Sequence, residues 1–189
     1  MKTAIVLAAA GMSRRFRQES GQHKLLASLK GKPVLQHTLE QAGSTGLDII
    51  VVTRPEDLAL HALLHNVKSV FCASTGLGDS IAAGVGACQN YDAVIVALAD
   101  MPFLTTESYQ AVSRALDASP LARPLIGRRP GHPVGFQRSF FPVLRQLSGD
   151  VGAQSVLQNQ HIRYVQLSDR GCVEDIDYPD DLLNLRSSP

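Results

Sequence analysis

The residues best suited to chemistry begin where the first apolar run of the chain ends. Small residues follow that run, and a basic stretch comes within a few positions. A small-residue turn brings backbone N–H groups close to a ligand, and Arg or Lys beside it suits the charge of a polyphosphate. This pattern predicts a nucleoside triphosphate site, and it equally fits a plain strand-to-loop turn with surface arginines. The candidates for nucleotide contact are Ala8, Ala9, Ala10, Gly11, Arg15, Lys24 and, after the next strand, Thr53.

A carboxylate follows the strongest apolar run. Asp100 comes just after residues 92–97 and before Pro102, which stiffens the turn. Mg²⁺ on phosphates takes one or two protein carboxylates. Asp175 and Asp177 alternate, so both face one side of an extended segment and can complete a metal site. Alternatively, Asp100 caps its own turn, and the late aspartates stabilise the N-terminus of the last helix through the helix dipole.

Two glycine-containing segments later in the chain predict contacts to a second substrate. His132 and Pro133 lie in a stiff turn, which suits either a wall for that substrate or a histidine held by hydrogen bonds. Asp150 follows Gly149 and is expected to cap the next helix, leaving N–H groups for an anion.

The order of apolar runs and helix-like stretches indicates how these residues are positioned. Continuous apolar strands between helices predict a parallel sheet covered on both faces, and the prolines of residues 120–133 predict short strands that make the sheet mixed. Ligands of such sheets bind beyond the carboxyl ends of the strands. Strands are expected at 3–8, 48–53, 67–72, 92–97 and 161–167, and helices at 33–42, 55–64, 79–88, 105–118, 140–147, 153–157 and 180–185. Either Thr105 or Thr106 is expected to cap the helix at 105–118.

Composition limits the class of protein. The chain has 189 residues, 44% of them hydrophobic and 19% charged, which predicts one ordered α/β domain over residues 1–189. A net charge of +1 argues against nucleic-acid binding. No segment predicts a membrane span, and the three scattered cysteines predict reduced, packed thiols in a cytoplasmic protein.

Taken together, the motifs resemble those of the MobA-like nucleotidyltransferases, most of all the molybdenum cofactor cytidylyltransferases. The resemblance runs in order along nearly the whole chain. It rests on residues 8–15, 24–26, 76–80, 100–102, 130–133, 149–153 and 175–179. The chain departs from the pattern at Arg17, where glycine is usual, at Gln154, where arginine is common, and in a longer, more basic loop between Arg15 and Lys24.

The resemblance implies a GT-A-like Rossmann fold, a three-layer α/β/α arrangement with a mostly parallel mixed sheet. It implies Mg²⁺-dependent transfer of CMP from CTP to the terminal phosphate of molybdopterin, with a molybdenum hydroxylase as a candidate partner. Ala10 favours CTP, since the guanylyltransferase relatives carry glycine there. The implied roles are Mg²⁺ binding for Asp100, Asp175 and Asp177, phosphate neutralisation for Arg15 and Lys24, nucleoside contact for Ser80, and acceptor contact for His132, Pro133, Gly149 and Asp150.

Two other functions stay open from the sequence. One is nucleotidyl transfer to a different phosphate, on a sugar, an alcohol or phospholactate. The other is a non-catalytic chaperone that delivers a cofactor to a molybdenum hydroxylase. Such a chaperone needs the acceptor side but no metal carboxylate, so Asp100 favours catalysis.

Overall fold

The computed structural model describes residues 1–184, and an eight-stranded mixed sheet forms its centre. A separate two-stranded hairpin, β2 with β3, lies outside this sheet. The strands are β1 (Thr3–Ala8), β2 (Ser28–Leu29), β3 (Lys32–Pro33), β4 (Asp48–Thr53), β5 (Lys68–Phe71), β6 (Ala93–Leu98), β7 (Leu121–Ile126), β8 (Arg129–Pro130), β9 (Val134–Gln137) and β10 (Arg163–Gln166).

The α-helices are short, and no helix of residues 1–184 has the length and apolar character needed to cross a membrane. They are α1 (Arg14–Ser20), α2 (Val34–Gly43), α3 (Leu58–His61), α4 (Leu77–Gly86), α5 (Thr106–Ala115), α6 (Phe141–Leu144), α7 (Gln154–Leu157) and α8 (Pro179–Asn184). The helix expected at 180–185 extends past the described residues at its last position.

The sheet has the strand order β10-β7-β9-β6-β1-β4-β5, with β8 paired to β7. β1 pairs in parallel with both β4 and β6, while β9 runs antiparallel between β6 and β7. The predicted mostly parallel mixed sheet is therefore confirmed. Because β1, β4 and β6 are parallel neighbours, their carboxyl ends meet at one edge, where the candidate residues lie.

Alternating side chains of the strands form two apolar clusters, one on each face of the sheet. Ile5 and Leu7 of β1 face the cluster that includes residues of α2 and α5. Ala4 and Val6 face the cluster that includes residues of α4, α6 and α7. The helices thus cover both faces, and the three layers hold the edge of the sheet in place.

The segment between Arg15 and Lys24 is not the loop expected from the sequence. Residues 14–20 form α1, which begins after Ser13 (φ 52°) and ends at Gly21 (φ 71°). Phe16, its single buried residue, packs into the core. A seven-residue helix with one apolar residue is too short to show a helical period, so the pattern could not reveal it.

Two other local expectations were wrong. The helix expected at 55–64 is reduced to α3, since residues 55–56 form a turn. Neither Thr105 nor Thr106 caps α5 with its side chain. Instead, the Asp169 carboxylate accepts hydrogen bonds from the Thr105 N–H and hydroxyl and from the Ser108 hydroxyl. The Asp169 carboxylate, distant in sequence, thus caps α5 in place of the threonine that the local sequence predicts.

The three cysteines are free thiols, as predicted: Cys88 and Cys172 are buried and Cys72 is half-buried.

Candidate functional site

Residues after β1 and β6 form the floor of the site. The Ala9 N–H donates to the Val52 carbonyl at 2.8 Å, and the Ala99 N–H donates to the Ala8 carbonyl at 3.1 Å. These bonds extend the sheet pairing past the ends of the strands. The segment after β1 and Asp100 therefore leave the sheet side by side.

A cleft of about 330 Å³ opens over this edge. Of the residues proposed from sequence, it contains the small-residue segment, Lys24, Ser80, Asp100 and Asp150. Its lining is Ala8, Ala9, Ala10, Gly11, Met12, Ser13, Arg14, Lys24, Leu25, Ser74, Thr75, Gly76, Leu77, Ser80, Leu98, Asp100 and Asp150. A smaller cleft of about 190 Å³ shares Ser13, Arg14 and Lys24 and adds Arg15, Phe16 and Asp177. The candidate cationic groups thus lie where the two clefts meet.

An ionic network joins the two clefts. The Lys24 ammonium contacts the Asp100 carboxylate and lies 3.2 Å from an oxygen of Asp177. Arg15 Nη1 lies 2.8 Å from the other Asp177 oxygen. Burial lowers the pKa of Lys24, but the Asp100 and Asp177 carboxylates outweigh burial and leave this pKa raised. Lys24 is therefore a fixed positive charge in the site.

Lys24 is held in place by the residue before it. The His23 imidazole accepts a hydrogen bond from the Leu25 N–H at 3.2 Å and so caps the 3₁₀ turn of residues 24–26. The Ser13 hydroxyl lies 3.4 Å from the same nitrogen of His23. Burial lowers the pKa of His23, which keeps this ring neutral as a capping acceptor. The turn fixes Lys24 against the carboxylates.

Three carboxylates gather beside Lys24. One oxygen from each of Asp100, Asp175 and Asp177 lies within 4.8 Å of the others. The Ile176 N–H donates to the Asp100 carbonyl at 2.9 Å, which joins the late segment to the turn after β6. Oδ1 of Asp100 is buried with no partner among the described residues. Burial raises the pKa of Asp175, and repulsion from Asp100 and Asp177 raises it further.

This donor set fits a divalent cation. Oxygen ligands from one or two carboxylates are the usual protein share of a Mg²⁺ site, and the unpartnered Asp100 oxygen is available for one. Asp181 has the separate role anticipated for some of the late aspartates. Its carboxylate accepts from the N–H groups of Asp177 and Tyr178, at the start of α8.

The opposite end of the cleft is built from the segment before α4 and from the first turn of that helix. The Ser80 hydroxyl donates to the Ser74 hydroxyl at 3.1 Å, and the Arg54 guanidinium contacts the Ser74 carbonyl. Asp79 accepts from the N–H and hydroxyl of Thr75 at 2.7 and 2.8 Å. It also accepts from the Gly149 N–H at 2.9 Å. Backbone hydrogen bonds, those of Thr75 and Gly149 first, lower the pKa of Asp79 to about 2.

Gly76 permits the close approach of two loops at this end of the cleft. A Cβ there would overlap the Gly149 carbonyl and the Asp150 carboxylate. We expect Gly76→Ala to lower stability by about 1–3 kcal/mol, as overpacking does, and to weaken nucleotide binding. Thermal melting with and without nucleotide measures both effects. Gly86→Ala, at the last position of α4 with open space around it, serves as the control and should not lower stability.

The acceptor-side candidates fall in different places. Asp150 lines the main cleft, but it does not cap α7, because Ala153 precedes that helix and no side chain caps it. His132 and Pro133 lie beyond β6, where the His132 N–H donates to the Cys172 carbonyl at 2.7 Å. Thr53 is fully buried, and its hydroxyl lies 3.2 Å from His61. Thr53 and the His132 turn are thus not part of the cleft lining.

His132 gives a pH-dependent prediction. Burial, with help from the nearby Arg123 charge, lowers the pKa of His132 to about 4, against 6.5 for an ordinary histidine. Between those values the unfolded chain takes up a proton that the folded chain does not, so stability falls as the pH drops from 6.5 towards 4. We expect His132→Asn to lose less stability than the parent between pH 7 and pH 5, by up to ~1.4 kcal/mol per pH unit. Urea unfolding at both pH values measures this, and equal losses in the two proteins would contradict it.

Several residues of the site escaped the sequence analysis. Ser74 and Thr75 had a usable signal, since they follow β5 at the same edge of the sheet as Asp100. Arg14 stood in the basic run but was not singled out from it. Asp79 accepts a hydrogen bond from the N–H of Gly149, 70 positions away, and no local sequence pattern indicates such a contact.

The sequence is similar to a known protein family and to a curated relative. The family model described as the MobA-like NTP transferase domain matches residues 4–165. A curated relative, the purine catabolism protein PucB of Bacillus subtilis, is 29% identical over 196 aligned positions that cover 93% of this chain and 92% of PucB.

Solved structures share the fold. Rv0371c of Mycobacterium tuberculosis, in complex with manganese, superposes with a TM-score of 0.84 at 22% identity and full coverage of both chains. The molybdopterin-guanine dinucleotide biosynthesis protein A of Archaeoglobus fulgidus superposes with a TM-score of 0.72 at 20% identity, covering 97% of this chain and 96% of that one.

Proposed function

Since the chain belongs to the MobA-like NTP transferase family, we propose that it moves CMP from CTP to the terminal phosphate of molybdopterin and releases pyrophosphate. The observation that carries the proposal is the ionic network of Lys24 with Asp100 and Asp177 at the end of the cleft. A fixed positive charge beside a group of carboxylates suits the phosphates of a nucleotide and a divalent cation bound to them. The fold shared with the A. fulgidus protein, which is named for molybdopterin-guanine dinucleotide biosynthesis, supports a molybdopterin acceptor.

In the proposed reaction, an oxygen of the acceptor phosphate attacks the α-phosphorus of CTP. The new P–O bond forms as the bond to the β-phosphate oxygen breaks, and its electron pair leaves with pyrophosphate. The attacking phosphate is already ionised, so no protein base is required. Lys24 and Arg15 neutralise the charge that collects on the leaving group, and Arg14 adds a third cation at the junction of the clefts.

Asp100, with Asp175 or Asp177, is the proposed holder of Mg²⁺. Bound there, a divalent ion would act as a Lewis acid towards the phosphate oxygens. The related fold of Rv0371c was solved with manganese, which supports a divalent cation here. Because Lys24 contacts two of the same carboxylates, it also limits their mutual repulsion before the nucleotide binds.

Ala10 is the proposed determinant of nucleotide choice. Its side chain is buried in the cleft wall, so glycine there would enlarge the cleft by one methyl group. We expect Ala10→Gly to reduce the preference for CTP over GTP by roughly 10-fold, the usual value of one methyl in a pocket. The ratio of kcat/KM for the two nucleotides measures it. Ala118→Gly, at an exposed position outside the cleft, should keep the parent ratio.

The acceptor is tested by measuring pyrophosphate release with CTP and Mg²⁺ in the presence of molybdopterin, a sugar phosphate, an alcohol phosphate or phospholactate. The proposal expects release with molybdopterin alone among these. Release with one of the others would reassign the acceptor within the same reaction class. Tight molybdopterin binding with no release under any condition would support the delivery chaperone instead.

A further inference from the structure

Arg123 is a buried arginine that has no carboxylate partner among residues 1–184. It is 8% exposed. Its Nε and Nη2 donate to the Gly131 carbonyl at 3.1 and 3.0 Å, and Nη1 lies 3.3 Å from the Gln154 side-chain oxygen. Both partners are neutral. A buried charge is costly unless an opposite charge compensates it, so this guanidinium is suited to receive an anion.

His132 lies beside this arginine with an unused ring nitrogen. Its ring makes a hydrogen bond with the backbone of Val96, and Nδ1 is buried with no partner among the described residues. A neutral imidazole that donates from one nitrogen has a lone pair on the other. His132 thus presents an acceptor next to a cation.

Each side chain contacts a residue that is two to four positions in sequence from the lining of the main cleft. Val96 is two positions before Leu98, which lines that cleft. Gln154 begins α7, four positions after Asp150, which also lines it. Leu121, two positions before Arg123 on β7, belongs to the apolar cluster on the same face of the sheet as Ala10. Arg123 therefore lies on the same face of the sheet as Ala10, and the strand order puts Arg123 and His132 on the side of β6 away from β1, outside the lining of the main cleft.

We propose that Arg123 and His132 form an anion subsite for the acceptor, in which Arg123 binds a phosphate-class group and His132 accepts a hydrogen bond from the same molecule. The assignment of this molecule as the acceptor rests on the proposed function. The subsite itself rests on the uncompensated charge and the unpartnered nitrogen. The competing role for Arg123, bracing the Gly131 carbonyl and nothing more, is an outcome of the test.

The first experiment needs no turnover. Inorganic phosphate is titrated into the ¹⁵N-labelled protein while the Arg Nε–H and His132 ring signals are followed by NMR. The Arg123 signal is assigned by its loss in Arg123→Lys. We expect the Arg123 and His132 signals to shift and saturate together, while that of Arg163, exposed on the neighbouring strand β10, stays in place. An Arg123 signal that does not respond would overturn the subsite.

The second experiment uses kinetics. Arg123→Met should raise the KM for the acceptor roughly 10- to 100-fold, the effect of losing hydrogen bonds to a charged group, and leave the KM for CTP unchanged. Arg123→Lys should fall between the parent and Arg123→Met, and Arg163→Gln should behave as the parent. An unchanged acceptor KM in a folded Arg123→Met protein would show that Arg123 only braces the turn.

The two failures are distinguishable. If no acceptor supports turnover but the phosphate titration saturates at Arg123, the subsite stands and the proposed reaction is wrong. If turnover occurs and the Arg123 NMR signal does not respond to phosphate, the proposed reaction stands and the subsite is wrong. If Arg123→Met does not fold, the titration of the parent protein decides.

Discussion

Asp100→Ala is expected to lower the turnover number at least ~10²-fold while leaving the fold intact, since groups that stabilise transition-state charge have effects of this size. One oxygen of the Asp100 carboxylate contacts the Lys24 ammonium. The other, Oδ1, is buried with no partner among the described residues and is therefore available to bind a cation. Removing it takes away both the cation ligand and the anchor of Lys24. Steady-state pyrophosphate release with CTP and Mg²⁺ measures the loss, and thermal melting checks the fold.

The matched control for this substitution is Asp117→Asn, which alters an exposed carboxylate after α5. It should turn over as the parent does. Near-parental turnover in Asp100→Ala would show that the metal assignment is wrong. Asp175→Asn and Asp177→Asn then separate the late aspartates, because the one that helps to hold the cation should raise the Mg²⁺ concentration needed for half-maximal rate.

Lys24→Met is expected to lower turnover by on the order of 10²-fold through a different cause. Lys24 Nζ is the one side-chain group that pairs with both Asp100 and Asp177 in the described part of the chain. Without it, the charge of the leaving pyrophosphate loses its nearest neutralising group. The carboxylates also lose a competitor for the cation, so metal binding should not weaken as it does in Asp100→Ala.

Two measurements separate these effects. Pyrophosphate release gives the rate, and the paramagnetic resonance signal of Mn²⁺ titrated in the presence of CTP gives the metal affinity. Lys68→Met, an exposed lysine of β5, is the control and should match the parent in both. A Lys24→Met protein with parental turnover would remove Lys24 from the proposed mechanism.

Residues that follow core strands could be placed from sequence because the signal is local. The apolar runs before Ala9 and Asp100 identify buried parallel strands, and parallel strands end at one edge. The pairing of β1 with β6 then brings the two segments together. The alternation of Asp175 and Asp177 predicts a shared side, and in the structure one oxygen of each lies within 4.8 Å of the other and of Asp100. The alternation alone could not show that this side faces Asp100, which depends on the hydrogen bond from the Ile176 N–H to the Asp100 carbonyl.

Contacts across long stretches of chain could not be placed in this way. In the sequence, Arg123 has the pattern of an ordinary strand residue. The structure shows that its guanidinium donates hydrogen bonds to Gly131 and Gln154. Asp169 caps a helix 64 positions earlier than itself, where two threonines offered a simpler local answer. These partners depend on which loops the finished sheet brings together, and no spacing rule encodes that.

The most direct test of the central claim follows the nucleotide phosphates separately. CTP carrying a radiolabel at the α-phosphate, or at the γ-phosphate in a parallel reaction, is incubated with the protein, Mg²⁺ and molybdopterin. We predict that the α-label appears in a molybdopterin–CMP product and the γ-label in an equal amount of pyrophosphate, and that Asp100→Ala forms both products at least ~10²-fold more slowly. An α-label that stays in CTP or appears only as free CMP, or a γ-label released as inorganic phosphate, would contradict nucleotidyl transfer.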